Sequence, residues 1–239
     1  MGDGISLAGL AMVAREQRQE ALVHNLANAS TPGFKAARVF AKVLEDACET
    51  VEGMRRPGKG PQVYIDFGQG RIEATDRNLD LALDGEGFFV VGTPEGERYT
   101  RNGNFSLDAD GRLVNASGHP VLTESGPITI GDGEITVDAG GEISLDGQFV
   151  GQLSIKNFES LDPLVQAGAG LYGPGPGVEL VEIEPTAVVL QGSLEASNVL
   201  PLEEMVRMTT LLKQFEACHR MVEMQDTVLR RTVSDLILR

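Results

Sequence analysis

The chain has 239 residues, 41% of them hydrophobic, so it can bury a core as one elongated domain or as two small ones. Its 35 acidic and 20 basic residues leave a formal charge of -15. That charge repels phosphate backbones and anionic lipid, which argues against a nucleic-acid partner. Cys48 and Cys218 form no paired spacing, so neither a disulfide framework nor a structural zinc site is indicated.

The first segment, residues 5–29, is rich in good helix formers. Ala8, Met12, Leu22 and Leu26 fall on one side of the predicted helix. The charged run from Arg15 to Glu20 lies where a signal peptide would have its apolar core, and the chain has no transmembrane-length apolar run. We therefore expect neither a cleaved signal nor direct membrane insertion.

The stretch HNLANASTPGFKA, residues 24–36, predicts the end of this helix and a turn. Asn and Ser side chains compete with the helical backbone, and Pro-Gly suits the two centre positions of a type II turn. The predicted turn residues are Asn25, Asn28, Pro32 and Gly33. Residues 35–61 are predicted to be an extended or mobile connector.

The middle of the chain, residues 62–192, shows a β pattern. Short alternating or apolar runs are separated by turn signals such as Asp84-Gly85 and Asp146-Gly147. This spacing predicts an antiparallel, hairpin-rich module. The Gly-rich segment 168–177 is predicted to be an irregular loop.

The C-terminal segment, from Pro201 to about Leu236, carries the strongest helix signal. Met208, Phe215, Val222, Leu229 and Leu236 recur every seven residues, with Leu211 and Cys218 in the second seam position. Such a helix would be roughly 50 to 55 Å long. A stripe of that length favours pairing with another helix, although an intramolecular packing face is the alternative.

The predicted fold is therefore α+β. An antiparallel hairpin-rich β domain is flanked by N- and C-terminal helices that pair in a coiled-coil-like inner layer. We expect residues 1–34 and 193–239 to form a terminal-helix domain, residues 35–61 a connector, and residues 62–192 a β-rich outer domain.

No segment of the sequence marks a catalytic, cofactor or metal site. The DADG segment, Asp108 to Gly111, lacks the staggered ligands and final Glu of a calcium loop and is predicted to be a hairpin turn. His24, His119 and His219 have no metal-ligand spacing, and no serine lies in a nucleophile elbow. We expect no enzyme activity.

Several motifs, in order along the chain, resemble those of one family. They are NLANASTPGFK at residues 25–35, DLALDGEGFFVV at 80–91, ERYTRNGNFSLDADGRLVNASGHPVL at 97–122, and LEASNV at 194–199 followed by EEMVRM. This set resembles the flagellar basal-body rod proteins, which are relatives of the hook protein. Within that family, the short length and two further segments, GPITI and QFEACHRMVEMQD, are more similar to the proximal than to the distal rod protein.

The resemblance implies a structural subunit of the bacterial flagellar rod. Its terminal helices would pack against the helices of neighbouring subunits in an inner tube, with the β domains outside. Partners would be homologous proximal and distal rod proteins, further copies of itself and, during secretion, the flagellar type III export apparatus. The location would be the basal body, spanning the periplasm. The apolar helix residues expected at the assembly interface are Met12, Leu22, Leu26, Met208, Leu211, Phe215, Val222 and Leu229.

Three alternatives to a proximal rod subunit stay open from the sequence. One is the distal rod protein. Another is a secreted β-rich binding module, although the chain has no Trp and only 5% aromatic residues for a recognition patch. The third is a glycan hydrolase, for which no pair of carboxylates is marked.

Overall fold

The computed structural model describes residues 2–40, 49–51, 54–56, 62–131, 133–216, 220 and 224. The chain divides into two compact units. The first, which we call the helical unit, comprises residues 1–26, 39–63 and 200–239. The second, the β unit, comprises residues 27–38 and 64–199. Residues 27–34 and 193–199, which the sequence grouped with the terminal helices, thus lie in the β unit.

The helical unit contains both predicted helices. Helix α1 spans Gly2–Ala27. Helix α2 covers residues 201–216, and residues 220 and 224 are helical as well. Val222 and Leu229 lie outside the described residues. Among the described residues, neither helix combines the length and the apolar character that crossing a membrane would require.

The remaining elements are short strands, as predicted for a hairpin-rich module. In chain order they are β1 Ala36–Phe40, β2 Glu49–Val51, β3 Met54–Arg56, β4 Gln62–Asp66, β5 Ile72–Ala74, β6 Leu81–Asp84, β7 Phe88–Thr93, β8 Gly96–Thr100, β9 Phe105–Leu107, β10 Leu113–Asn115, β11 Leu122–Thr123, β12 Gly126–Pro127, β13 Ile135–Val137, β14 Glu142–Leu145, β15 Gln148–Gln152, β16 Ile155–Phe158, β17 Leu164–Gln166, β18 Leu171–Pro174, β19 Glu182–Ile183, β20 Val188–Gln191 and β21 Ser193–Glu195.

The largest sheet has six strands in the order β17-β18-β8-β7-β16-β19, and a second has the order β13-β14-β15. Two-stranded pairs are β1-β4, β2-β3, β6-β20, β5-β21, β9-β10 and β11-β12. The pairs among β5 to β21 are all antiparallel. The predicted antiparallel α+β class is confirmed. Coiled-coil pairing of the two helices is not shown by the described residues and stays a prediction.

Alternation along β7 builds two apolar cores, one on each face of the six-stranded sheet. Phe89 and Val91 join a cluster with Leu81, Phe105 and other residues. Phe88 and Val90 join an aromatic cluster that includes Tyr172. Because successive side chains of a strand point to opposite faces, one apolar run supplies both cores.

The Gly-rich segment 168–177 is not simply an irregular loop. Leu171–Pro174 forms β18, which pairs with β8 and β17 inside the largest sheet. Leu171 and Tyr172 are buried, and their apolar burial outweighs the poor strand preference of the neighbouring glycines. Gly168 and Gly170, with φ of 89° and 72°, form the turn that precedes β18.

The predicted hairpin turn at Asp108–Gly111 is confirmed. It connects the antiparallel strands β9 and β10. The Asp108 carboxylate accepts hydrogen bonds from the backbone N–H groups of Asp110 and Arg112, and from Arg112 Nε at 2.8 Å. These donors supply hydrogen bonds to both oxygens of the carboxylate. In the part of the chain that the structure describes, no group of three or more His, Cys, Asp or Glu side chains is placed to hold a metal.

Candidate assembly surface and the junction of the β unit

The predicted turn after α1 is present. Phe34 N–H donates to the carbonyl oxygen of Thr31 at 3.3 Å, with Pro32 and Gly33 between them. Gly33 has φ of +66°, as a type II turn requires at its third position. Asn28 shares in the preceding turn, where its carbonyl accepts from Thr31 N–H at 3.0 Å.

Asn25 does not lie in the turn, contrary to the prediction. It lies inside α1, which continues to Ala27, and its side chain is only 2% exposed. Its Nδ2 donates to Glu204 Oε2 of α2 at 3.5 Å. Glu204 is also buried, and its other oxygen accepts from Arg207 Nη1 at 2.6 Å. Asn25 therefore belongs to a polar contact between the two helices of the helical unit.

Gly33 has a second role, because the backbone of another segment passes directly beside it. A Cβ atom at this position would lie 2.3 Å from the carbonyl carbon of Arg101 and from the nitrogen of Asn102. No side chain fits into that space. The turn therefore packs against the loop after β8 as well as reversing the chain.

Next to this turn, three charged side chains are buried together, and we call them the ion cluster: Lys35, Arg101 and Glu195. Lys35 Nζ donates to Glu195 Oε1 at 2.5 Å, and Arg101 Nη1 donates to Glu195 Oε2 at 3.4 Å. Their side chains are 1%, 6% and 0% exposed, in the order Lys35, Arg101, Glu195. Burial lowers the pKa of Lys35 and of Arg101, while the Glu195 carboxylate opposes that effect for both.

Backbone groups add further hydrogen bonds to the ion cluster, although the buried Arg101 Nε has no partner among the described residues. Gly70 N–H donates to Glu195 Oε1 at 2.7 Å, and Lys35 Nζ donates to the Gly68 carbonyl at 2.8 Å. Arg101 Nη2 donates to the Gly85 carbonyl at 2.8 Å, and its guanidinium lies 5.2 Å from the centre of the Phe88 ring. Each charged group thus has a directional partner besides its ionic one.

Tyr172 and Asn198 extend this polar network. The Tyr172 hydroxyl accepts from Lys35 N–H at 3.2 Å, and burial raises the pKa of that hydroxyl. Asn198 Oδ1 accepts from Ala36 N–H at 2.8 Å. Its Nδ2 donates to the carbonyls of Asp66 and Gly68 at 2.7 and 3.0 Å.

Helix α2 presents large apolar side chains at its surface. Leu202 is 76% exposed and Phe215 is 59% exposed. The others of this kind within residues 201–216 are Met205, Val206 and Leu212. We call these five residues the α2 apolar surface.

Of the predicted interface residues whose side chains the structure describes, Phe215 belongs to the α2 apolar surface and the others are less exposed. Met208 and Leu211 of α2 and Leu22 and Leu26 of α1 are half-buried. The side chain of Met12 lies outside the described part of the structure, as do Val222 and Leu229.

The comparisons with known proteins agree with the motifs. Residues 82–145 match the family described as "Flagellar hook protein FlgE/F/G D1 domain", and residues 190–236 match "Flagellar basal body rod FlgEFG protein C-terminal". The flagellar basal-body rod protein FlgF of Salmonella typhimurium is 34% identical over 219 residues, which cover 83% of this chain and 84% of the relative. The chain belongs to the flagellar basal-body rod protein family. The expected family membership is confirmed.

Other rod proteins match over nearly the whole chain. FlgF of Mesorhizobium japonicum is 31% identical, covering 90% of each protein. FlgG of Bacillus subtilis is also 31% identical, covering 92% of this chain and 93% of the relative. This is a family of structural proteins of the flagellar basal body, which agrees with the expectation of no enzyme activity.

Sequence reasoning missed the ion cluster of this rod-family protein. Lys35 and Glu195 lie within the quoted motifs NLANASTPGFK and LEASNV, and Arg101 directly follows the buried end of β8. A charged residue inside an otherwise apolar or turn-forming motif is a usable signal for a buried ion pair. Nothing local indicates which charges meet, because Lys35 and Glu195 are 160 positions apart.

Proposed function

We propose that this rod-family protein polymerises with homologous rod proteins and with itself into the axial drive shaft, at the proximal end of the rod. The observation that carries the proposal is the α2 apolar surface. Leu202, Val206 and Leu212 are each more than half exposed, and a helix with such side chains is stabilised when other helices cover them. The proximal position is supported by the short length and the segments GPITI and QFEACHRMVEMQD.

The contrast between the units supports a specific assembly mechanism. The β unit buries two apolar clusters of its own, so it folds without neighbours. The terminal helices depend on helices of adjacent subunits and become fully formed only on incorporation. Folding of the ends and assembly of the rod are then one event.

The predicted pairing of the helices belongs to the same proposal. Met208, Leu211, Phe215, Val222 and Leu229 of the C-terminal segment would face Met12, Leu22 and Leu26 of α1 segments in a coiled-coil-like inner tube. The β unit would form the outer layer. The buried contact between Asn25 and Glu204 already joins the two helices at one point.

Export follows from the location. A rod subunit must cross the inner membrane to reach the periplasm. We propose the flagellar type III export apparatus as the route to the periplasm. The formal charge of -15 keeps free subunits apart during export.

The experiment that tests the function is incorporation into purified basal bodies. A strain lacking the native copy expresses the tagged full chain or a variant without residues 205–239. The full chain is expected in the rod and restores motility. The shortened chain is expected to stay out of the rod while its β unit still unfolds cooperatively in urea. Normal rods built from the shortened chain would refute an assembly role for α2.

A further inference from the structure

Three chain segments lie side by side within the β unit: residues 33–36, 66–71 and 195–199. Gly33 N–H donates to the Glu195 carbonyl at 2.7 Å, and Asn198 N–H donates to the Phe34 carbonyl at 3.3 Å. Ala196 N–H donates to the Arg71 carbonyl at 2.8 Å. The first segment follows α1 along the chain and the third precedes α2, so both connections to the helices meet here.

Apolar packing at this place is small. The apolar cluster shared by the outer segments consists of Phe34, Ala36 and Val199, with Ala29 packed against it, while Phe67 of the middle segment packs on Phe88 and Tyr172. Because the hydrophobic effect is non-directional, a cluster of this small size tolerates more than one spacing of the segments. A single spacing therefore has to come from directional contacts, among them the backbone hydrogen bonds just described and the pairing of β5 with β21.

The ion cluster supplies such contacts. Glu195 Oε1 accepts from Lys35 Nζ and from Gly70 N–H at the same time, which ties all three segments to one carboxylate oxygen. A shift of the first segment by one residue would break the Lys35 bond, and a shift of the third segment would break both bonds. A Cβ at Gly70 would collide with the Ala196 carbonyl oxygen, so the middle segment is also in direct contact with the third.

Stability alone does not explain why these charges are buried. The ion cluster places two cations and one carboxylate in the interior, and desolvating them opposes the attraction between them. Apolar residues of similar size often give equal or greater stability at such sites. What apolar side chains cannot reproduce is the direction of the bonds.

We propose that the ion cluster and Asn198 are positioning residues that hold the segment leaving α1 and the segment leading to α2 at one spacing in the free subunit. Rod assembly then starts from two connecting segments whose spacing is already set, which lowers the conformational cost of incorporation. This inference rests on the proposed rod function.

The test replaces the charges without emptying the site. The apolar variant carries Lys35→Met, Arg101→Met and Glu195→Met. The control is Val189→Ala, a buried apolar position of the same unit, which lowers stability without touching the cluster. Spin labels are attached at Ser30→Cys, three residues before the first segment, and at Ser197→Cys within the third, in a full chain carrying Cys48→Ser and Cys218→Ser. The distance between the labels reports the spacing of the two outer segments.

The apolar variant is expected to remain folded, with a label-to-label distance distribution at least twice as wide as in the unsubstituted cluster. In competition with the unaltered chain, its incorporation into basal bodies is expected to fall at least tenfold. Val189→Ala is expected to unfold at lower urea while keeping the narrow distribution and full incorporation. A purely structural role would move the urea midpoint and leave the distance distribution unchanged.

An apolar variant with an unchanged distance distribution would overturn the inference, and so would a broad distribution with normal incorporation. If the apolar variant does not fold, the same distances are measured in Asn198→Ala. A broader distance distribution in that variant supports the inference, and an unchanged distribution overturns it. If the unaltered chain never enters the rod, the proposed function fails. The label distances still report whether the cluster holds the segments.

Discussion

The ion cluster of the β unit and the α2 apolar surface are built from opposite kinds of side chain. The β unit buries Lys35, Arg101 and Glu195 with directional partners, whereas α2 leaves large apolar side chains such as Leu202 and Phe215 exposed. The β unit also has two apolar clusters of its own. A helix that exposes its apolar residues is suited to further packing, so substitutions in the two units should have separable effects on unfolding and on assembly.

The largest effect on unfolding is expected from Glu195→Ala. It leaves the Lys35 and Arg101 cations buried without their carboxylate, and breaking a buried pair in this way costs roughly 3–5 kcal/mol. Urea unfolding of the full chain, followed by tyrosine fluorescence, measures the loss. Exposed Glu184→Ala serves as a control with the same change of charge. Equal midpoints for the two variants would contradict the assigned role of the cluster.

A smaller but still clear loss is expected from Gly33→Ala. A non-glycine residue at positive φ costs about 1–3 kcal/mol, and here the added Cβ also meets the backbone of Arg101 and Asn102. Gly118→Ala is the matched control, because Gly118 has φ of +78° with open space around it. The excess loss at residue 33 over residue 118 isolates the collision. No excess would mean that the loop after β8 moves aside freely.

A modest, pH-dependent effect is expected at the β9–β10 hairpin. Hydrogen bonds from the Arg112 backbone, and further from its side chain and from Asp110, lower the pKa of Asp108. A carboxyl whose pKa is lower in the folded state stabilises above its unfolded pKa of about 4 and loses that contribution as pH falls through the folded value.

The check for this hairpin is Asp108→Asn. The urea midpoint of the unaltered chain is expected to exceed that of the variant at pH 6. The gap should narrow as the pH is lowered through 4 and below. A gap that stays constant from pH 6 to pH 3 would show that the ionised carboxylate contributes nothing.

The smallest effect on unfolding, near zero, is expected from Leu212→Asp, although incorporation into the rod should be lost. Leu212 is 53% exposed, so the free subunit tolerates a charge there, while the same charge buried between helices is costly. Gln214→Asp is the control, since it adds the same single negative charge at a nearby exposed position. Basal bodies containing normal amounts of Leu212→Asp would show that this part of α2 faces solvent in the rod.

Local patterns in the sequence predicted most elements of the fold. Heptad spacing and good helix formers indicated α2 and α1, and the Asp-Gly turn signals indicated the hairpins. The pattern failed at Leu171–Pro174, where glycines on both sides favoured a loop. Pairing with β8 and β17 decided for a strand there, and such pairing involves residues distant along the chain.

The candidate site likewise combines features that the sequence predicted with features that only the tertiary structure shows. The sequence by itself determined the Pro32-Gly33 turn, the apolar stripe of the C-terminal helix and the motifs that resemble rod proteins, because each depends on neighbouring residues or on a short repeat. Only the tertiary structure decided that Asn25 contacts Glu204 within the helical unit and that Lys35, Arg101 and Glu195 share one buried site. Burial and charge pairing are properties of three-dimensional neighbours, and no local preference of Lys, Arg or Glu specifies which partner it will meet.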